Sequence, residues 1–202
     1  LWEVEELEIP AETKTLSDLP HFSGLKSLTL HDASATLDLT VLGQMTTLQA
    51  LDLSGCTLSQ SMLEIIGTLP DLTSLNLSNC AIESVNPLVG LTKLTSLDLT
   101  NNTISDITAL SSMTELRELH LTNNPVGSIS YLNSCVKLEK LYIENCGVSK
   151  LSSLAGNTNL SELYASNNQI SDISVLSDCT ALSIIDLCDN AVTDISVLTN
   201  FP

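Results

Sequence analysis

Six cysteines, three histidines and 24 acidic residues are the reactive groups of this 202-residue chain. The cysteines suggest a disulfide framework, a zinc site or a nucleophile. None stands in a CxxC pair, the spacing with which zinc sites are built, so zinc is not expected. Cys56, Cys80 and Cys146 recur at one position of a repeating pattern, and Cys135 and Cys179 replace inward apolar residues at another. That placement reads as small buried residues. Only Cys56 and Cys80 fall on adjacent units, about 5 Å apart by strand spacing, which leaves a bond between them open. Cys188 follows Leu187 at a strand edge and reads as an exposed thiol without an activating neighbour.

The histidines do not converge. His31 and His120 lie on or beside strands four units apart, roughly 19 Å, and His21 falls in a loop. The register is expected to bring no serine, histidine and acid together, and no glycine-rich phosphate loop follows a strand. The expectation is a non-catalytic chain with no cofactor. Calcium is worth weighing in so acidic a sequence. Asp52 and Asp98 share a column two units apart, about 10 Å, too far for one ion. Asp172 and Asp194 are on neighbouring units and can approach. Asp106 repeats their pattern, and the simpler role is capping of backbone amides where a turn begins. Asn101-Asn-Thr103 and Asn159-Leu-Ser161 fit the glycosylation acceptor pattern, which matters only in a secreted eukaryotic protein.

What positions these groups is a repeat. Leu94-Thr-Ser-Leu97-Asp-Leu99-Thr-Asn-Asn102-Thr-Ile104 returns as Leu116-Arg-Glu-Leu119-His-Leu121-Thr-Asn-Asn124-Pro-Val126. The starts Leu72, Leu94, Leu116, Leu138, Leu160 and Leu182 are 22 residues apart, and Val4, Leu25 and Leu48 continue the frame upstream less regularly. About nine units therefore span residues 1–202 as one domain. Leu97 and Leu99 alternate with polar residues, the pattern of a short strand buried on one face. From Ile104 to Leu116 the apolar residues fall every third position, which suits 3₁₀ or extended backbone. Each unit is thus a coil, strand on one side and tight turns on the other, that buries its leucines only by stacking. In the Leu48 unit, Met62, Leu63, Ile65 and Ile66 have helical spacing, with Ser61 and Glu64 as a capping box and Gly67 as the stop. One short α-helix near 59–66 is expected.

These motifs resemble leucine-rich repeats of the short 22-residue subclass, as in internalins and in a phosphatase-regulatory subunit. Asn167-Asn168-Gln169-Ile170-Ser171-Asp172-Ile173 is especially internalin-like. The resemblance implies an α/β fold: a leucine-rich-repeat solenoid with a parallel β-sheet on the concave face and 3₁₀ or extended turns on the convex face. For function it implies only protein binding, because the repeat is a scaffold shared by many partners. The motif's asparagine reads Glu12, Ala33, Cys56, Cys80, Asn102, Asn124, Cys146, Asn168 and Asn190, so the cysteine turns should be less tightly fixed. The first two units fit the pattern worst. Neither end reads as capped: Trp2 is a candidate remnant of a cap, and the chain stops at Phe201-Pro202. A fragment of a longer protein is expected, with end-to-end association through open terminal coils.

The column between the second and third strand leucines faces the concave side: Thr29, Asp52, Asn76, Asp98, His120, Tyr142, Tyr164, Asp186. His120, Tyr142 and Tyr164 form an aromatic strip about 10 Å long. Arg117, Glu118, Glu139, Lys140, Glu144 and Glu162 surround it. Tyrosine joins apolar area to a polar tip with few rotors, which suits a binding hot spot. The competing explanation is that large residues on a curved sheet simply cover one another. Under the binding reading Tyr142 and Tyr164 anchor a partner, and Arg117, Glu118, Glu144, Glu162 and Asp186 set its charge.

A net charge of -17 argues against nucleic acid and favours a basic or neutral partner surface. No apolar run approaches the roughly 20 residues of a membrane helix, so no membrane insertion by this segment is expected. The start carries no basic region followed by an apolar stretch, so any export signal has been removed or never existed. The internalin resemblance implies an extracellular or cell-surface protein of a bacterium. The alternatives are a cytoplasmic scaffold like the phosphatase regulator, with six reduced thiols, and a stiff spacer.

Overall fold

The computed structural model describes residues 3–33 and 37–200. Trp2 and Phe201-Pro202, read as a cap remnant and an unfinished end, lie outside the described residues. The strands are β1 Glu6–Ile9, β2 Ser27–Leu30, β3 Ala50–Asp52, β4 Ser74–Asn76, β5 Ser96–Asp98, β6 Glu118–His120, β7 Lys140–Tyr142, β8 Glu162–Tyr164 and β9 Ile184–Asp186. They form one parallel sheet in chain order. The pairing register is the repeat itself: Leu97 faces Leu119, Leu119 faces Leu141 and Leu141 faces Leu163. Those leucines are fully buried, and a one-residue slip would turn the whole row to solvent, so burial holds the register. Each such side chain contributes about 1.5–3 kcal/mol relative to exposure.

Opposite the sheet, the period of three appears as 3₁₀ turns, among them Thr40–Gln44, Asn86–Gly90, Thr108–Ser112, Ser130–Ser134 and Ser174–Asp178. Leu110, Leu132 and Leu176 point inward, and their carbonyls accept from the amides of Met113, Cys135 and Cys179 at 3.0, 3.0 and 2.9 Å. The aspartates two residues before these turns act as caps. Asp106, Asp172 and Asp194 accept from the amides of Thr108, Ser174 and Ser196 at 2.9, 2.9 and 2.8 Å. The Ser174 and Ser196 amides and hydroxyls hold Asp172 and Asp194 below the ordinary carboxylate range. Each carboxylate of the calcium candidate pair thus serves its own turn.

The strand leaves the sheet through a left-handed residue. Asn79, Asn101, Asn123, Asn145 and Asn167 all have φ between 54° and 60°, a conformation asparagine tolerates better than most residues. Their carboxamides form a ladder along the solvent edge, with Asn101 donating to Asn79 at 3.0 Å and Asn145 to Asn123 at 3.0 Å. The next residue turns inward. Asn102 accepts on Oδ1 from the amides of Cys80 and Ile82 at 3.1 and 2.9 Å. Its Nδ2 donates to the carbonyls of Leu77 and Leu99 at 2.9 and 2.8 Å. Where cysteine replaces it, the thiol takes over the carbonyl: Cys56, Cys80 and Cys146 donate to Leu30, Leu53 and Leu121, each at 3.1 Å. The amide-accepting oxygen has no counterpart, so a cysteine coil keeps only part of the asparagine clamp.

The expected helix, α1, spans Gln60–Ile66. Its cap corrects the sequence reading. Ser59, not Ser61, is the N-cap: Ser59 is extended at φ -82° and ψ 160°, and its Oγ accepts from the Met62 amide at 3.3 Å. Ser61 is already helical and bonds the Ser59 hydroxyl at 2.9 Å, so Ser61 and Glu64 form no capping box. Gly67 does end the helix, but at φ -61° it needs no left-handed freedom. It needs space: a Cβ there would lie 2.0 Å from the Pro87 carbonyl oxygen of the next coil.

Candidate functional site

The concave columns follow directly from strand pairing. Thr29, Asp52, Asn76 and Asp98 pair in succession, and Asp98 pairs with His120, His120 with Tyr142, Tyr142 with Tyr164 and Tyr164 with Asp186. The three rings stack. His120 and Tyr142 centroids are 4.0 Å apart with planes at 6°, and Tyr142 and Tyr164 are 4.7 Å apart at 5°. The inner ring faces are therefore covered, and the strip presents ring edges and hydroxyls to the concave side.

The column has a second job that the rings do not perform. Asp52, Asn76, Asp98 and Asp186 each accept, on Oδ1, the amide two residues on: Ser54, Ser78, Thr100 and Cys188 at 2.9, 3.0, 2.8 and 3.0 Å. In the three aromatic coils no described side chain caps the amides of Thr122, Glu144 and Ser166. A cap of this kind is worth about 0.5–1.5 kcal/mol. The rings thus sit where the backbone favours a short acceptor.

The surrounding charges are mostly paired with one another. Arg117 is held by Glu139 across one coil, and Lys140 by Glu162 at 3.1 Å. His120 Nε2 meets Glu118 at 2.9 Å, and the Thr122 hydroxyl donates to Glu144. Glu162 Oε2 lies 3.4 Å from both tyrosine hydroxyls. Partial burial, then the Glu162 charge, raises the phenol pKa of Tyr142 and Tyr164, so both remain protonated donors. Asp186 is spent on its cap, and the Cys188 amide holds its carboxyl below the usual range.

A feature not read from the sequence lies beside the strip. Ser27, Ala50, Ser74 and Ser96 form an adjoining row of small side chains, and with Asp52, Asn76 and Asp98 they line a hollow of about 270 Å³. His120 closes one end of it. The row of small residues was the available signal.

The expectation that no serine, histidine and acid come together is also corrected. His31 Nδ1 lies 2.7 Å from Ser54 Oγ and 3.7 Å from Asp52 Oδ1. Those partners belong to neighbouring columns of the next coil, which a single-column reading misses. Both oxygens face the same ring nitrogen, whereas a proton relay needs the acid and the serine on opposite nitrogens. Among the described residues no three His, Cys, Asp or Glu side chains gather to hold a metal ion. All six cysteines are free, including the Cys56 and Cys80 pair. Burial pushes the thiols of Cys146 and Cys179 up to about 11 and that of Cys80 up to about 12. Cys188 is exposed, and hydrogen bonding to the Asp186 carboxylate raises its pKa, which disfavours the reactive thiolate. No helix among the described residues is long and apolar enough to cross a membrane.

Strands, turns and asparagine clamp define a leucine-rich-repeat solenoid. Residues 39–146 match the leucine-rich repeats described for leucine-rich repeat and WD repeat-containing protein 1, and residues 158–200 match a two-copy leucine-rich-repeat family. The chain belongs to the leucine-rich-repeat family and is internalin-like. Internalin C2 from Listeria monocytogenes aligns at 30% identity and TM-score 0.69, covering 98% of this chain and 77% of that one. InlF, an internalin from the same species, aligns at 27% identity and TM-score 0.73, covering 92% of this chain. A leucine-rich-repeat protein of Leptospira interrogans shares the fold at TM-score 0.80 and 22% identity over 96% of this chain. The chain spans 61% of the InlF structure and 50% of the Leptospira one. No curated protein matches its sequence.

Proposed function

We propose that the chain is a non-catalytic protein-interaction module that captures a protein partner on its concave face, at the surface of a bacterium or in secreted form. The observation that carries this reading is the aromatic strip. Three consecutive coils give up the strand-end cap for stacked rings, and stacking on a sheet is not needed to hold coils that already share a leucine core. Tyr142 and Tyr164 are the anchors, with His120 at the end of the strip. Glu118, Glu144, Glu162, Asp186 and the Arg117–Glu139 pair form a polar rim around them, the arrangement of a hot spot and its surround. The acidic excess supports a partner surface that is basic or neutral. Likeness to internalins supports the surface or secreted location.

The test is selection of a displayed random-peptide library on the native chain, followed by rebinding to Tyr142→Ala/Tyr164→Ala. The selected peptides are expected to lose binding while the far-UV circular dichroism stays unchanged. Peptides that bind the double variant as well as the native chain would remove the strip as the recognition surface.

A further inference from the structure

The aromatic stack ends at His120. Tyr142 covers one side of that ring at 4.0 Å, and the next coil offers only Asp98, too short to add another ring. The ring-to-ring intervals of 4.0 and 4.7 Å follow the interstrand spacing of about 4.8 Å. The next rung of the stack is therefore the space over Asp98, inside the hollow that His120 closes.

We propose that this rung is taken by an arginine side chain of the protein partner, its guanidinium laid on His120 and hydrogen-bonded to Asp98. The assignment rests on the concave-face reading and names the chemistry that face recognises. Asp98 uses Oδ1 on the Thr100 amide, and its Oδ2 has no partner among the described residues. Asp52 lies further along the same floor, tied through Oδ2 to the Asn76 carboxamide at 3.1 Å, and adds a second negative charge. Ser74 and Ser96 leave the floor low enough for a side chain to lie across it. Arg117 and Lys140, the cations beside the aromatic strip, are engaged by Glu139 and Glu162, and His31 lies 3.7 Å from Asp52, not at Asp98. A guanidinium is flat, stacks on rings and presents a fork of donors to a carboxylate, whereas an ammonium matches the charge alone.

The experiment titrates N-acetyl-L-arginine amide into the isotope-labelled chain and follows amide resonances, with N-acetyl-L-citrulline amide as the uncharged isostere. Arginine is expected to give saturable shifts at Asn76, Asp98 and His120, with citrulline weaker by at least about tenfold. Asp98→Asn should weaken arginine binding by about the same factor. That variant keeps its cap, because Asn76 already accepts the equivalent amide at 3.0 Å. Ser96→Phe, which fills the hollow, should abolish the shifts. Equal shifts from the two probes, no saturable shifts, or native-like binding by Asp98→Asn would overturn the assignment. Library-selected peptides separate the two readings. If they are lost on Tyr142→Ala/Tyr164→Ala but fully retained on Asp98→Asn, the arginine assignment fails and the concave-face reading stands. If both variants retain them, both readings fail.

Discussion

Tyr142 and Tyr164 lie ring over ring at 4.7 Å with planes 5° apart, although 22 residues of chain separate them. The sheet sets that distance: β7 and β8 pair the two residues directly, and strand spacing of about 4.8 Å falls within the range of aromatic stacking. Single and double alanine substitutions should therefore show a coupling of about 0.5–1.5 kcal/mol in a urea-denaturation cycle. Additive effects would mean that the rings merely coexist.

Asn102 joins its own coil to the preceding one through its carboxamide. Asn102→Ala strips the amides of Cys80 and Ile82 of an acceptor and the carbonyls of Leu77 and Leu99 of a donor. A loss of about 3 kcal/mol in unfolding free energy is expected, read from the shift of the urea-denaturation midpoint. Asn102→Cys should lose about half as much, because a thiol recovers the carbonyl bond as Cys80 does with Leu53.

Asn157 is fully buried, and neither its carboxamide nitrogen nor its oxygen has a hydrogen-bond partner among the described residues. It occupies the inward position held by Cys135 one coil earlier and Cys179 one coil later, each amide bonding the carbonyl three residues back. Asn157→Cys should stabilise the chain by about 1–3 kcal/mol, seen as a higher melting temperature. A lower melting temperature would refute an unpaired amide.

Gly67 and Pro87 are in close backbone contact between α1 and the following coil. Gly67→Ala places a methyl 2.0 Å from the Pro87 carbonyl oxygen, and backbone has to move. Destabilisation of about 1–3 kcal/mol is expected, with faster hydrogen exchange confined to α1 and the 3₁₀ turn at Asn86–Gly90. Uniform exchange rates across the chain would argue against a local clash.

The thiols should separate by reagent. At neutral pH a maleimide should add once to the folded chain, at Cys188, and to all six cysteines in denaturant, as read by mass. Folded-state pKa values of about 12 for Cys80 and about 11 for Cys146 and Cys179 exceed the ordinary 9.0. Between those values the unfolded chain releases protons that the folded chain keeps, so stability is whole below pH 9 and falls as pH rises above it. Cys80→Ala should flatten that alkaline slope, and an unchanged slope would place the effect elsewhere.

The periodic sequence determined the solenoid, the concave column from Thr29 to Asp186 and the single helix. Each coil repeats the same burial problem, so Leu97, Leu119 and Leu141 independently specify one register. What the sequence could not decide were choices between near-equal local options. Ser59 and Ser61 are both able to cap α1, and only the backbone angles choose between them. His31 meets Ser54 and Asp52 across columns, a diagonal contact that the spacing of a single column does not report. Whether Arg117 or Asp98 is free to meet a partner depends on which neighbour reaches it first in three dimensions. The hollow beside His120 exists because four successive coils carry small side chains next to a coil that carries a ring. Burying leucines is worth several kcal/mol per coil and is written into the repeat, whereas these pairings differ by about 1 kcal/mol and are settled only when the coils have stacked.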